Sequence, residues 1–217
     1  MAESLSNIKL IVFDWDGTIM DSTGRIVSAM QESARRLDLL VPTDEAVKGI
    51  IGLGLTECLN ILFPELKCHK AITEEYRYQY VEADTTPTPV FEGVEEVLQT
   101  LKAKGHMLAV ATGKARHGLD RVLDESGLRH YFEHTIGADE VGNAKPAPDM
   151  LNVLMQKTNT NAKEVIMIGD TSFDLEMANN AGTYSIGVTF GAQTKETLKN
   201  YEPAKIVHCF SNLKELF

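Results

Sequence analysis

Short, unbroken apolar runs recur along this chain, and each run ends in glycine or polar residues. Because apolar and polar residues do not alternate within them, the runs predict strands buried on both faces of a sheet. Between the runs lie helix-length stretches whose apolar residues are spaced three and four apart. Such alternation predicts right-handed βαβ crossovers, and therefore an α/β fold with a doubly wound parallel sheet. The predicted strands are 10–13, 107–111, 165–168, 184–188 and 206–210.

One long segment interrupts this alternation. Between Asp21 and Pro89 the sequence has only helical spacing, and the segment closes with two prolines that cannot continue a helix. We predict a helical insert over residues 21–89, with an α/β core formed by residues 1–20 and 90–217.

Charge and cysteine content limit the classes of partner. The 21 Lys and Arg residues against 31 Asp and Glu residues give a formal net charge of −10, which argues against a nucleic-acid or anionic-membrane surface. The sequence contains no run of about 18 apolar residues, so it predicts no membrane span. Cys58, Cys68 and Cys209 are widely spaced, which favours reduced thiols and a cytoplasmic protein. Nothing in the sequence indicates an oligomeric state.

Polar residues cluster where the predicted strands end. Because ligands of open α/β sheets bind at the carboxyl ends of the strands, we expect these side chains to meet at one site. Each also has a purely structural interpretation: a polar turn for Asp14 and Asp16, a helix cap for Thr112 or Asp174, and a solvated surface group for Lys145. The groups are Asp14-Trp-Asp16-Gly-Thr18, Thr112-Gly113-Lys114, Lys145-Pro-Ala-Pro and Gly169-Asp170-Thr-Ser-Phe-Asp174.

The residue types indicate phosphate chemistry. Several acids with one lysine, and no cluster of histidine or cysteine, suit a hard cation such as Mg²⁺. Mg²⁺ usually shares its coordination shell with phosphate and water, so a phosphorylated substrate follows. An ionised aspartate can attack phosphorus to give an aspartyl-phosphate, while a second acid handles the proton of the leaving group.

These four groups, in this order, resemble the motifs of the haloacid dehalogenase superfamily, and the insert resembles the C1 helical cap of its phosphoglycolate phosphatase-like members. The resemblance implies a Rossmann-like core with Asp14 as nucleophile and metal ligand. It implies that Asp16 is the general acid/base and offers its backbone carbonyl to Mg²⁺. The other implied roles are phosphoryl binding for Thr112, Gly113 and Lys145, substrate binding for Thr18 and Lys114, and metal binding for Asp170 and Asp174.

The insert offers two candidates for contact with the substrate. Arg25 lies early in it, although a surface helix charge explains this residue equally well. The glycine-rich loop 49–54 could bring backbone close to a ligand, or could be an ordinary turn between helices. Tyr76, Tyr78 and Tyr80 cannot all share one helical face, and we interpret them as structural.

The sequence therefore predicts a Mg²⁺-dependent phosphatase of a small phosphorylated metabolite, of the phosphoglycolate or sugar-phosphate type. One alternative is a phosphomutase similar to β-phosphoglucomutase, but that family has a histidine early in its cap and residues 21–25 contain none. The other is a non-enzymatic signalling module whose aspartate accepts phosphate. Asp16 argues against it, since a general acid would speed the loss of phosphate.

Overall fold

The structure, a computed structural model, describes residues 5–217 and contains a six-stranded, all-parallel sheet in the order β3-β2-β1-β4-β5-β6. The strand order reverses between β1 and β4, which confirms the predicted doubly wound α/β fold with its Rossmann-like core. The strands are β1 (Leu10–Phe13), β2 (Met107–Ala111), β3 (His134–Ile136), β4 (Val165–Gly169), β5 (Tyr184–Val188) and β6 (Lys205–Val207).

Two strands differ from the prediction. The edge strand β3 was not predicted, because it has three residues and its His134 and Thr135 are polar and only half-buried, so no apolar run marks it. The last strand stops at Val207 and not at residue 210, because Phe210 starts a 3₁₀ helix, Phe210–Glu215.

Helices cover both faces of the sheet, as the continuous apolar runs require. Ile11 and Phe13 point into one hydrophobic layer, whereas Leu10 and Val12 point into the other. The helices of the core are α5 (Val94–Ala103), α6 (Arg116–Ser126), α7 (Asp149–Thr158), α8 (Ser172–Ala181) and α9 (Lys195–Lys199).

The segment between β1 and α5 is helical and has its own hydrophobic cluster, built mainly from residues 26–80. Its two connections to the core run side by side, since the Asp21 N–H donates to the Pro89 carbonyl at 2.8 Å and the Phe91 N–H to the Ile19 carbonyl at 3.0 Å. The boundaries 21–89 stay a prediction, and this segment is called the insert below. Its helices are α1 (Thr23–Arg36), α2 (Asp44–Lys48), α3 (Leu55–Leu62) and α4 (Lys70–Tyr78), followed by a π-helical turn, Gln79–Ala83.

Within residues 5–217, no helix has both the length and the apolar character that a membrane span requires.

Candidate active site

The candidate site lies at the carboxyl ends of β1, β2 and β4, beside the point where the strand order reverses. Backbone hydrogen bonds continue the sheet just beyond the strands: the Asp14 N–H donates to the Ile168 carbonyl at 2.9 Å and the Thr112 N–H to the Ile136 carbonyl at 3.1 Å. Asp14, Asp16, Thr112 and Lys145 line a cavity of about 1050 Å³ between core and insert.

Lys145 joins two of the predicted acids. Its Nζ lies 2.7 Å from Asp14 Oδ1 and 2.6 Å from Asp174 Oδ1, and all three side chains are at most 1% exposed. The lysine therefore belongs to a buried ion-pair network and is not a solvated surface group. Its peptide bond to Pro146 is cis.

Asp170 is held at both carboxylate oxygens. Thr18 Oγ1 donates to Oδ1 at 2.9 Å, and the Ala192 backbone N–H donates to Oδ2 at 2.7 Å. Gly17 is required here, since its φ is +81° and a Cβ atom would overlap the Asp170 carboxylate. Thr18 is fully buried and does not line the cavity, so its contact is with Asp170.

Three carboxylates fit a divalent cation. One oxygen each from Asp14, Asp170 and Asp174 lie within 4.8 Å of one another, and Lys145 supplies a single positive charge against them. Asp14 Oδ2 is buried without a hydrogen-bond partner, which is costly unless a ligand satisfies it. Oxygen donors of this kind are those that Mg²⁺ prefers.

Asp174 and Asp16 differ from the other two acids in how they could serve a cation. Asp174 Oδ2 accepts hydrogen bonds from the Thr171 backbone N–H and Oγ1 at 3.0 and 2.7 Å, so Asp174 also holds the first turn of α8. The structural and functional interpretations of Asp174 are therefore compatible. The Asp16 carboxylate is not one of the three acids grouped among residues 5–217, so the part of its backbone carbonyl in metal binding stays a prediction.

Burial and mutual repulsion shift the ionisation of these groups. Burial raises the pKa of Asp14 well above its usual value, and Asp174 and Asp170 add to the effect while Lys145 opposes it. The pKa of Asp170 rises to about 7, mainly through burial and then through Asp174. Burial alone would lower the pKa of Lys145, but Asp14 and Asp174 raise it, so the ammonium stays charged.

These shifts predict how the metal-free protein depends on pH. A carboxyl whose pKa is raised from 3.8 to about 7 by folding stabilises the folded state below about pH 4, and this stability is lost as the pH rises towards 7. As the pH rises from 5 to 7.5, we expect the free energy of unfolding of the metal-free protein to fall by a few kcal/mol through this group. We expect Mg²⁺ to restore this stability at pH 7.5. Urea unfolding at pH 5 and 7.5, with EDTA or Mg²⁺, measures the effect. Asp170→Asn should weaken both dependences, and equal responses in the variant and wild type would contradict the assignment.

A second network surrounds Asp16. Ser22 Oγ donates to Asp16 Oδ1 at 2.6 Å, and Lys114 Nζ lies 3.0 Å from Asp16 Oδ2. The same Nζ is 3.3 Å from the hydroxyl of Tyr80, a residue of the insert. Although burial opposes it, Asp16 raises the pKa of Lys114. Lys114 therefore connects the core carboxylate to the insert.

Residues 11–188 match the family model of the haloacid dehalogenase-like hydrolases. The chain belongs to this family. It is 37% identical to "Probable phosphatase IndB" of Dickeya dadantii over 94% of this chain and 91% of that protein, and 32% identical to a phosphoglycolate phosphatase of Vibrio cholerae over 92% of each. The crystal structure of a predicted phosphoglycolate phosphatase from Haemophilus somnus 129pt shares the fold, with a TM-score of 0.89 at 24% identity, over 97% of this chain and 98% of that one. The chain is thus a phosphatase of this family and is phosphoglycolate phosphatase-like.

The glycine-rich loop of this haloacid dehalogenase-like phosphatase reaches the core. A Cβ atom at Gly113 would overlap the backbone carbonyl oxygens of Gly52 and Leu53, and one at Gly52, where φ is +102°, would lie 2.9 Å from Thr171 Oγ1. The loop therefore lies between the ends of β2 and β4. Helix α6 starts at Arg116, so Thr112 does not cap it.

Arg25 is not brought together with the other predicted site residues of the phosphatase. Its Nε donates to the Thr86 carbonyl at 2.6 Å, which ties α1 to the returning connection, and its side chain does not line the cavity. Its guanidinium carbon lies 6.0 Å from the centre of the Tyr80 ring.

Tyr76 and Tyr80 are site residues that the sequence interpretation missed, as is Ser22. Tyr78 is exposed, but the Tyr76 and Tyr80 rings lie in contact at a tilt of 34° with centres 5.8 Å apart, and both residues line the cavity. Their four-residue spacing could have revealed the shared helical face.

Ser22 offers a direct test of the Asp16 network in the phosphatase. Ser22→Ala removes a charge-assisted hydrogen bond, so we expect kcat to fall by about tenfold because Asp16 is held less firmly. Ser22→Thr keeps the hydroxyl and should keep most of the activity. Steady-state kinetics with circular dichroism as a folding check measures this, and an unchanged kcat in Ser22→Ala would exclude the positioning role.

Proposed function

We propose that this protein is a cytoplasmic, Mg²⁺-dependent phosphatase of a small phosphorylated metabolite, of the phosphoglycolate or sugar-phosphate type, and that it works through phospho-Asp14. The observation that carries the proposal is Asp14 itself. One of its carboxylate oxygens is held by Lys145 at 2.7 Å, and the other is buried without a partner beside two further carboxylates. A carboxylate so placed is oriented, desolvated and ready to meet a ligand.

Each site residue has a separate role in the first half of the reaction, which forms phospho-Asp14. Asp14 attacks phosphorus, and the bond from phosphorus to the organic oxygen breaks as the bond to Asp14 forms. Asp16, once a proton has replaced its ion pair with Lys114, gives that proton to the departing oxygen. The Thr112 hydroxyl and the Gly113 N–H bind phosphoryl oxygens, and Lys145 balances the charge of Asp14 and phosphate.

The second half of the reaction restores the enzyme. Asp16 takes a proton from the water that attacks phospho-Asp14, so inorganic phosphate leaves and the Asp14 carboxylate returns. Asp14, Asp170 and the Asp16 backbone carbonyl would hold Mg²⁺, with Asp174 orienting this set. The ion supplies positive charge against the phosphoryl oxygens.

Two observations favour hydrolysis over the alternatives. The phosphomutases similar to β-phosphoglucomutase have a histidine early in the cap, whereas the one histidine that lines the cavity within residues 5–217 is His117 of the core helix α6. A lasting phosphate signal requires slow hydrolysis of the phospho-aspartate. Asp16 is held at the cavity by Ser22 and Lys114, where it would speed that hydrolysis, so its position favours an enzyme over a signalling module.

The proposed function is tested by phosphate release from a panel of phosphorylated metabolites and p-nitrophenyl phosphate, with Mg²⁺ or with EDTA. We expect release that depends on Mg²⁺, together with a phosphorylated Asp14 found by mass spectrometry after rapid acid quench. Phosphate release that persists in EDTA would contradict the proposed dependence on Mg²⁺. An isomerised sugar phosphate without free phosphate would indicate a phosphomutase.

A further inference from the structure

The cavity is large for a two-carbon phosphate. Its volume of about 1050 Å³ lies just above the ~300–1,000 Å³ typical of pockets for drug-sized ligands. The backbone of loop 49–54 already packs against Gly113, so this volume remains while the insert contacts the core. The phosphoryl group of a two-carbon ester would reach Asp14 and leave most of the space empty.

The insert gives this cavity an apolar wall. Met30 of α1, Ile50, Leu55 of α3, Cys58 and Tyr80 line it, and of these Leu55 is half-buried and the other four are buried. Burial raises the pKa of the Cys58 thiol to about 12, so it stays uncharged. A wall of this kind gains free energy by covering apolar surface, which a short polar metabolite does not offer.

Cations line the same cavity beside this wall. Lys114 Nζ lies 4.8 Å and the Arg121 guanidinium carbon 5.9 Å from the centre of the Tyr80 ring. The Arg121 side chain is 28% exposed and pairs with Glu125 at 3.0 Å. Lys114 also pairs with Asp16 at 3.0 Å, and neither cation takes part in the ion pairs of the Asp14, Asp174 and Lys145 network. They place hydrogen-bond donors along one edge of the apolar wall, in a cavity that Glu57, Arg77 and Asp139 also line.

We propose that the natural substrates are phosphate monoesters with a nucleoside-sized body, whose ring packs on the apolar wall and whose carbonyl or hydroxyl edge faces Lys114 and Arg121. This inference rests on the proposed function and narrows its substrate class. It predicts that the organic body contributes binding energy that phosphoglycolate and small sugar phosphates cannot supply.

A comparison of kcat/KM with Mg²⁺ tests the substrate class. The nucleoside-sized compounds are uridine 5′-monophosphate, adenosine 5′-monophosphate and flavin mononucleotide, and the others are phosphoglycolate, glycerol 3-phosphate and glucose 6-phosphate. We expect the best of the first group to exceed the best of the second by at least tenfold. Equal or better hydrolysis of the second group would overturn this inference and leave the proposed function standing, whereas no hydrolysis of any compound would overturn both.

A cavity-filling variant tests the wall itself. Leu55→Trp places an indole in the cavity, and we expect kcat/KM for the best nucleoside-sized substrate to fall at least tenfold more than kcat/KM for phosphoglycolate. The matched control is Ile61→Trp on the same helix, where the side chain is 52% exposed and does not line the cavity. Arg121→Gln should raise KM for the large substrate with little change in kcat. Equal losses for both substrates in Leu55→Trp, or none, would contradict the assignment.

Discussion

Asp14→Asn is expected to reduce phosphate release by about 10⁴-fold or more, whatever substrate is used. An amide of the same shape cannot attack phosphorus, so the covalent route through Asp14 is lost, and deletions of a nucleophile are among the largest effects in enzymes. Lys145 keeps Asp174 as a partner at 2.6 Å, so the fold should survive. The measurement is single-turnover phosphate release by the variant and wild type at equal enzyme concentration.

The matched control for this change is Asp139→Asn, which makes the same substitution at an exposed carboxylate on the rim of the same cavity. We expect less than a threefold change there. If Asp14→Asn kept more than about 1% of wild-type activity, or released phosphate as Asp139→Asn does, Asp14 would not be the nucleophile.

Lys145→Met is expected to have the largest effect on stability. The substitution leaves Asp14 and Asp174 buried and facing each other without a cation, and breaking a buried ion pair typically costs about 3–5 kcal/mol. Activity should also be lost. Urea unfolding in EDTA at pH 7.5 measures the change, and Lys9→Met is the control because Lys9 is 62% exposed in its pair with Glu164 and should contribute about 0–1 kcal/mol.

The loss in Lys145→Met should shrink as the pH falls. The pKa of Asp14 is already raised by burial, so lowering the pH from 7.5 towards 5 adds the proton that replaces the missing cation. The double variant with Asp14→Asn should recover part of the stability, since one uncompensated carboxylate is removed. A loss below about 1 kcal/mol at pH 7.5 would show that the network does not depend on Lys145.

Much of the core could be predicted because its signals are local. Strands β1, β2 and β4 are continuous apolar runs because they are buried on both faces of the sheet, and β5 keeps enough apolar residues around Ser185 and Gly187 to be recognised. Strand β3 was missed because an edge strand of three residues can be polar and still pair. The end of β6 was misplaced because the apolar run continues into a 3₁₀ helix at Phe210.

The candidate site was predictable for a related reason. Asp14, Thr112 and Asp170 each follow a strand directly, and parallel strands bring their carboxyl ends to one edge of the sheet. The partners of these residues were not predictable. That Thr18 donates to Asp170, 152 positions away, depends on how two loops pack, which no short-range pattern encodes.

The sequence by itself determined the doubly wound sheet, the helical character of the insert and the acids at the strand ends. The spacing of apolar residues and the succession of apolar runs are properties of the chain itself, so they can be seen without the fold. Only the tertiary structure decided what the insert does. In the folded chain, Arg25 contacts Thr86 and Tyr80 contacts Lys114. The backbone of Gly52 and Leu53 packs against Gly113. These contacts join residues far apart in the sequence and depend on the relative placement of two separately packed clusters, so the cavity arises from that placement.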